Sequence, residues 1–258
     1  MYLNQEVMPI FLSLLAGLST LIGAFMVFFS KTQDKKLITF ALSFSAGVMI
    51  TISSTDLLPT ASETLNKIYG KLNGGFLSIL FLIIGVIIAF LIDNFIPENE
   101  NIGVNTDSNN NLFRVGFVSM IALMFHNFPE GIATYISGFQ DTALGITIAM
   151  AIALHNIPEG VSIAMPIYYS TGSRKKAFFY TFISGIAEPV GAIMSFLFLK
   201  PYINDFILSV VFALVAGIMI YISFAELIPE AKSYNHNLIY IFSLILGICI
   251  MPISHLFL

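Results

Sequence analysis

Eight stretches of this chain are almost continuously apolar, at roughly 8–29, 37–58, 75–96, 112–136, 143–168, 177–199, 206–227 and 238–258. Each is about 20 residues or longer, enough for a helix to cross a hydrocarbon core of about 30 Å. Strands of a membrane barrel would be about ten residues long with alternating polarity. These runs do not alternate. Only 10% of the 258 residues are charged and 57% are hydrophobic, whereas a soluble domain carries about 25% charged residues. That much apolar surface has one fitting solvent, lipid. The expectation is an all-α integral membrane protein of eight transmembrane helices in one domain over 1–258. The first run lacks a basic flank and exceeds the apolar core of a signal peptide, so it reads as a retained span.

Lysine and arginine set the orientation. Taking the loops in alternation, one set holds Lys31, Lys35, Lys36, Arg114, Arg174, Lys175, Lys176 and Lys232, and the other only Lys67, Lys71 and Lys200. Positive loops stay in the cytoplasm, so both termini are expected outside, in the cell (cytoplasmic) membrane. The segment 97–111 (PENENIGVNTDSNNN) is polar and Asn-rich and is expected to be a flexible cytoplasmic loop. The net charge of −4 gives no basic face for nucleic acid, and no nucleotide-binding loop is apparent. The single cysteine, Cys249, allows no internal disulfide and reads as a small buried hydrophobe.

Two internal repeats stand out. His126-Asn127-Phe128-Pro129-Glu130-Gly131 returns 29 residues later as His155-Asn156-Ile157-Pro158-Glu159-Gly160, in the fourth and fifth runs. Asp56-Leu57-Leu58-Pro59-Thr60-Ala61 in the second run resembles Glu226-Leu227-Ile228-Pro229-Glu230-Ala231 in the seventh. Runs four and five are antiparallel, as are two and seven, so the pattern is an inverted repeat arranged 3+2+3. Transporters often carry such repeats, with the substrate site near the midplane. His126 and His155 come about 14 and 12 residues into their runs, roughly 20 Å from opposite faces, so they meet near the membrane centre. Glu188 lies at a similar level.

An ionisable residue at the bilayer centre costs about 2.5–3.5 kcal/mol on the lenient insertion scale. Glu130, Glu159 and Glu188 are three such residues, and no Lys or Arg lies at their depth. A bound cation is the simplest neutraliser. His126 and Glu130 are spaced i, i+4 and share a helix face, with Asn127 beside them; His155, Glu159 and Asn156 repeat the pattern. Imidazole plus carboxylate without thiolate suits zinc, iron(II), manganese(II) and cobalt(II) and is a poor match for calcium or magnesium. Two His, two Asn and three Glu suffice for a two-metal site with bridging carboxylates. Pro129 and Pro158 free the carbonyls of Phe125 and Leu154, and Ser119, Ala122, Ala133, Ala151 and Ser162 leave room for a narrow path.

Other polar residues admit plainer readings. His236 and His255 sit at helix ends and read as solvated or interfacial. Met120, Met124 and Met150 read as gap fillers. Asp56 and Glu226 are either interfacial caps or entrance and exit carboxylates at the two mouths. Asp93, Asp141 and Asp205 read as ordinary boundary charges.

The paired HNFPEG and HNIPEG, the segment Ser184-Gly185-Ile186-Ala187-Glu188-Pro189, DLLP and ELIPEA resemble the ZIP (Zrt/Irt-like, zinc–iron permease) family, above all its bacterial ZupT-like and GufA-like branch. The likeness spans essentially the whole chain. It implies uptake of zinc, iron(II), manganese or cobalt as transported substrates, with no cofactor, through a binuclear site. One metal would use His126, Glu130, His155 and Glu159, and the other Asn127, Glu130, Asn156, Glu159 and Glu188. The resemblance also implies an elevator-like shift of one bundle and is compatible with a homodimer. Unlike many members, this chain has no His in its loop 97–111. The alternative is a membrane-embedded zinc metallohydrolase, in which zinc-bound water attacks a lipid or peptide. An HExxH pair or a Ser–His arrangement would be its mark, and neither occurs. Inverted symmetry favours a path over an enzyme.

Overall fold

The computed structural model describes residues 2–29, 34–95, 107–199, 202 and 204–254, and these are helical apart from short connections. Helix α1 runs Tyr2–Ala24 and resumes after a turn as Met26–Phe29. Helix α2 comprises Lys35–Thr51, a wider π turn at Ile52–Leu57, and Leu58–Tyr69. Then follow α3 (Lys71–Phe95), α4 (Asp107–Gln140), α5 (Thr142–Thr171) and α6, which is Arg174–Met194 ending in a π turn, Ser195–Leu199. Helix α7 is Asp205–Ile222, a π turn at Ser223–Leu227, and Ile228–Ser233; α8 is Asn237–Ser254. Among the described residues seven helices are long and apolar enough to span a membrane, and α8 adds a shorter apolar stretch, Asn237–Ile250. The chain is therefore a multi-pass membrane protein. Residues 97–106 of the expected loop and His255 lie outside the described residues; α4 already begins at Asp107.

The helix ends have local causes. The Asp34 carboxylate accepts from the amides of Lys36 and Leu37, both at 3.1 Å, and so satisfies donors that a helix start leaves open. Ser173 and Asn204 do the same for α6 and α7. Gly70 alone joins α2 to α3, with φ +81°, a conformation that costs glycine little.

The second repeat is visible in the backbone. Pro59 and Pro229 lack an amide proton, and the turn before each has widened. Leu58 donates to the Ser53 carbonyl and Ile228 to the Ser223 carbonyl, each five residues back. The Ser53 hydroxyl bonds the Met49 carbonyl (2.7 Å) and the Ser223 hydroxyl the Met219 carbonyl (2.8 Å). Proline removes a helical bond, and a π turn that contains Asp56 or Glu226 absorbs the loss.

The helices sort into two bundles. Helices α1, α4, α5 and α6 pack extensively on one another; α8 packs on α2, and α3 on α7 and the second half of α2. The bundles meet where α2 touches α5 and α4 touches α7. Close approach within the first bundle depends on the glycines that end the two HNxPEG motifs. A Cβ at Gly131 would overlap the Glu188 carbonyl of α6, and one at Gly160 the Thr20 carbonyl of α1.

The outer faces are apolar, as lipid requires. Phe76, Ile79, Ile83 and Phe90 of α3 and Ile241, Phe242 and Ile245 of α8 are all exposed. Cys249 corrects the sequence reading: it is exposed on α8 rather than buried. Its apolar neighbours in sequence face outward because α8 is a peripheral helix with lipid on one side.

Candidate metal centre

Helices α4, α5 and α6 bring seven polar side chains into the interior of the first bundle. His126, Asn127, Glu130, His155, Asn156, Glu159 and Glu188 are all buried, the most exposed being His155 at 7%. The i, i+4 spacing puts each His and Glu of a motif on one helix face. The antiparallel crossing of α4 and α5, joined only through Asp141, then sets the two faces against each other.

The donor atoms lie close together. His126 Nε2 lies 3.2 Å from Glu130 Oε1 and 3.3 Å from Glu159 Oε1. His155 Nε2 lies 2.8 Å from the same Glu130 oxygen. Donor atoms of His126, His155 and Glu159 all fall within 4.8 Å of one another. Ligands placed 2.0–2.2 Å from a tetrahedral ion stand about 3.3–3.6 Å apart, close to the spacings around His126.

Several of these atoms have no hydrogen-bond partner. His126 Nε2, Glu130 Oε2 and both Glu159 oxygens are buried and unbonded. Buried polar atoms are normally satisfied, so a cluster of orphans makes this a candidate place for a ligand. The two asparagines extend it. Asn127 Nδ2 donates to the Ser184 carbonyl (3.2 Å), and Asn156 Nδ2 donates to the Ala16 carbonyl (3.0 Å) and to Glu188 Oε2 (2.9 Å). Their amide nitrogens are thereby anchored, and Asn127 Oδ1, Asn156 Oδ1 and Glu188 Oε1 are left unbonded. These three atoms are all oxygens.

A cavity leads to the cluster from the Asp56 side. A cavity of about 430 Å³ between the bundles runs from Asp56 and Thr60 of α2, past Ser137 and Phe212, to Glu130 and His155. Its size admits an ion with several waters, each occupying about 30 Å³. Asp56, read as an entrance carboxylate or a cap, lines this cavity and accepts from the Thr55 hydroxyl (3.0 Å). Glu226, its counterpart, lies away from the cavity. Arg114 Nη1 donates to Glu226 Oε1 at 3.2 Å, and Nη2 donates to the Asp93 carbonyl (3.0 Å) and to Asp93 Oδ1. The Tyr221 hydroxyl donates to Asp93 Oδ2 (2.8 Å).

Asp93 is therefore not an ordinary boundary charge but a buried partner of Arg114. Arg114 was grouped with loop residues, yet it is the only Lys or Arg inside the run 112–136. That isolation was the available signal. Asp141 does behave as a boundary residue, accepting from the Ala143 amide (2.8 Å).

Comparison with known proteins identifies the family. A family model described as ZIP Zinc transporter matches residues 104–254. A protein named "Zinc transporter ZupT" from Streptococcus mutans is 45% identical over 249 residues, covering 94% of each chain. Proteins of the same name from Clostridium perfringens (41% identical; 98% of this chain and 96% of the relative) and Akkermansia muciniphila (45%; 94% of each) are similar over nearly their whole lengths. Together with the fold and the buried cluster, these likenesses define an integral-membrane transporter of metal ions rather than an enzyme. The chain belongs to the ZIP family.

Proposed function

We propose that this protein takes up divalent transition-metal ions across the cytoplasmic membrane, zinc first among them, through a binuclear site at the membrane midplane. The observation that carries this reading is the approach of His126 Nε2 to Glu130 Oε1 and Glu159 Oε1 at ligand spacing, beside the buried Glu130 Oε2 and Glu159 Oε2, which have no hydrogen-bond partner. One ion would use His126, Glu130, His155 and Glu159, and a second Asn127, Asn156 and Glu188 with the shared carboxylates. The relatives' printed names favour zinc. Iron(II), manganese(II) and cobalt(II) accept the same nitrogen and oxygen donors.

The orientation follows from the loop charges, with both termini outside, the Asp56 mouth facing out and the Glu226 end facing the cytoplasm. A partly dehydrated ion enters past Asp56, binds at the cluster, and leaves past Glu226 after the bundles shift. The inverted 3+2+3 arrangement fits a path that opens alternately to each side. Family likeness adds assembly as a homodimer.

Binding stoichiometry tests the site. Purified protein loaded with zinc and freed of excess is expected to hold two ions per chain, and Glu188→Ala one. Glu130→Ala with Glu159→Ala should hold none, with affinity lowered beyond the 10–100-fold typical of losing a residue that only hydrogen-bonds to a metal ligand. A transporter should also lose its zinc readily to a chelator. Retention of one ion through chelation, with hydrolysis of a lipid or peptide, would favour the metallohydrolase instead.

A further inference from the structure

The cavity that reaches Glu130 and His155 opens at the Asp56 end, between the two bundles. On the opposite side of the cluster the bundles are tied together by Arg114. It lies 12 residues before His126 on α4, about 18 Å along the helix. Its guanidinium spans two helices of the other bundle, bonding Asp93 on α3 and Glu226 on α7. All three side chains are largely buried, at 19%, 11% and 6% exposure. Tyr221 fixes the far oxygen of Asp93.

We infer that Arg114 is the positioning residue that closes the inner side of the path, an ionic latch between the bundles that must release before the site opens to the cytoplasm. A planar guanidinium shared between two carboxylates fixes geometry more tightly than a single ion pair. It also sets a positive charge across the route a cation must take. When α4 moves relative to α3 and α7, the guanidinium leaves and two carboxylates remain facing the route.

The inverted repeat makes the latch one-sided. The position in α5 that corresponds to Arg114, 12 residues before His155, is Ala143. The Asp56 end thus has no equivalent of this guanidinium, and the resting protein is held open outward. This inference rests on the transport reading above.

Thiol labelling in the metal-free, full-length protein tests it. In a Cys249→Ser background, Ser119→Cys places a thiol on the His126–Glu130 face between the cluster and Arg114, where Ser119 is fully buried. Ser137→Cys places one in the open cavity. A small charged methanethiosulfonate should label position 137 quickly and position 119 slowly. Arg114→Met is expected to speed labelling at 119 at least about tenfold and to slow it at 137. Asp93→Asn, which breaks the latch from its other half, should do the same, and Arg114→Lys should restore much of the original pattern. Unchanged rates at both positions in Arg114→Met and Asp93→Asn would overturn the latch. The labelling needs no metal, so failure of the wild type to pass zinc counts against the transport reading alone.

Discussion

His126 and His155 each offer Nε2 to a carboxylate within 3.3 Å, and the imidazoles must be neutral to bind a metal. Metal binding at such a cage releases protons and weakens in acid. Zinc influx into vesicles is therefore expected to fall as external pH is lowered from about 7.5 to 5.5, the range in which histidine titrates. A flat profile would remove the histidines from the account. At this scale the sequence was informative, because a buried carboxylate in lipid demands a partner and the duplicated HNxPEG supplied type, spacing and symmetry together. Glu188 was legible for the same reason. The Arg114–Asp93 pair was not, because its members lie 21 residues apart on helices whose contact no local spacing encodes. Cys249 was misread because an apolar helix position faces protein or lipid equally well by sequence.

The most informative elements are the two broken helices, α2 and α7. Sequence periodicity marks an apolar run of about 20 residues, and the run 37–58 accounts for only part of α2, which continues to Tyr69. The extension follows from the π turns before Pro59 and Pro229, which let each helix pass its proline instead of stopping. Such turns commonly sit at functional sites. Pro59→Ala restores a helical donor that proline denies, so the folded protein should be as stable or more so, by up to about 3 kcal/mol on intrinsic propensity. The same change should let Ile52–Leu57 relax toward a regular helix, turn Asp56 away from the cavity, and slow zinc influx. A thermal melt in detergent, read beside the influx rate, checks both halves. A loss of stability with unchanged influx would show that the π turn is a packing feature alone.

At the scale of the molecule, two bundles meet along one seam. The seam is open over a cavity of about 430 Å³ at the Asp56 end and closed by Arg114 at the Glu226 end. Sequence showed an all-helical membrane chain but not the grouping of α1, α4, α5 and α6 against the rest, since which apolar faces meet is decided by shape. Close contacts such as Gly131 against α6 and Gly160 against α1 hold the ligand-bearing bundle together, so the cluster would travel with it as a unit. The most direct test is influx into proteoliposomes loaded with a metal-sensitive dye. Zinc, iron(II), manganese, cobalt and magnesium are supplied in turn to the wild type and to Glu130→Ala with Glu159→Ala. The account predicts that the wild type passes transition metals, zinc above the others and magnesium scarcely, and that the double variant passes none. A wild type that binds zinc tightly yet admits no metal, or a double variant that still transports, would contradict it.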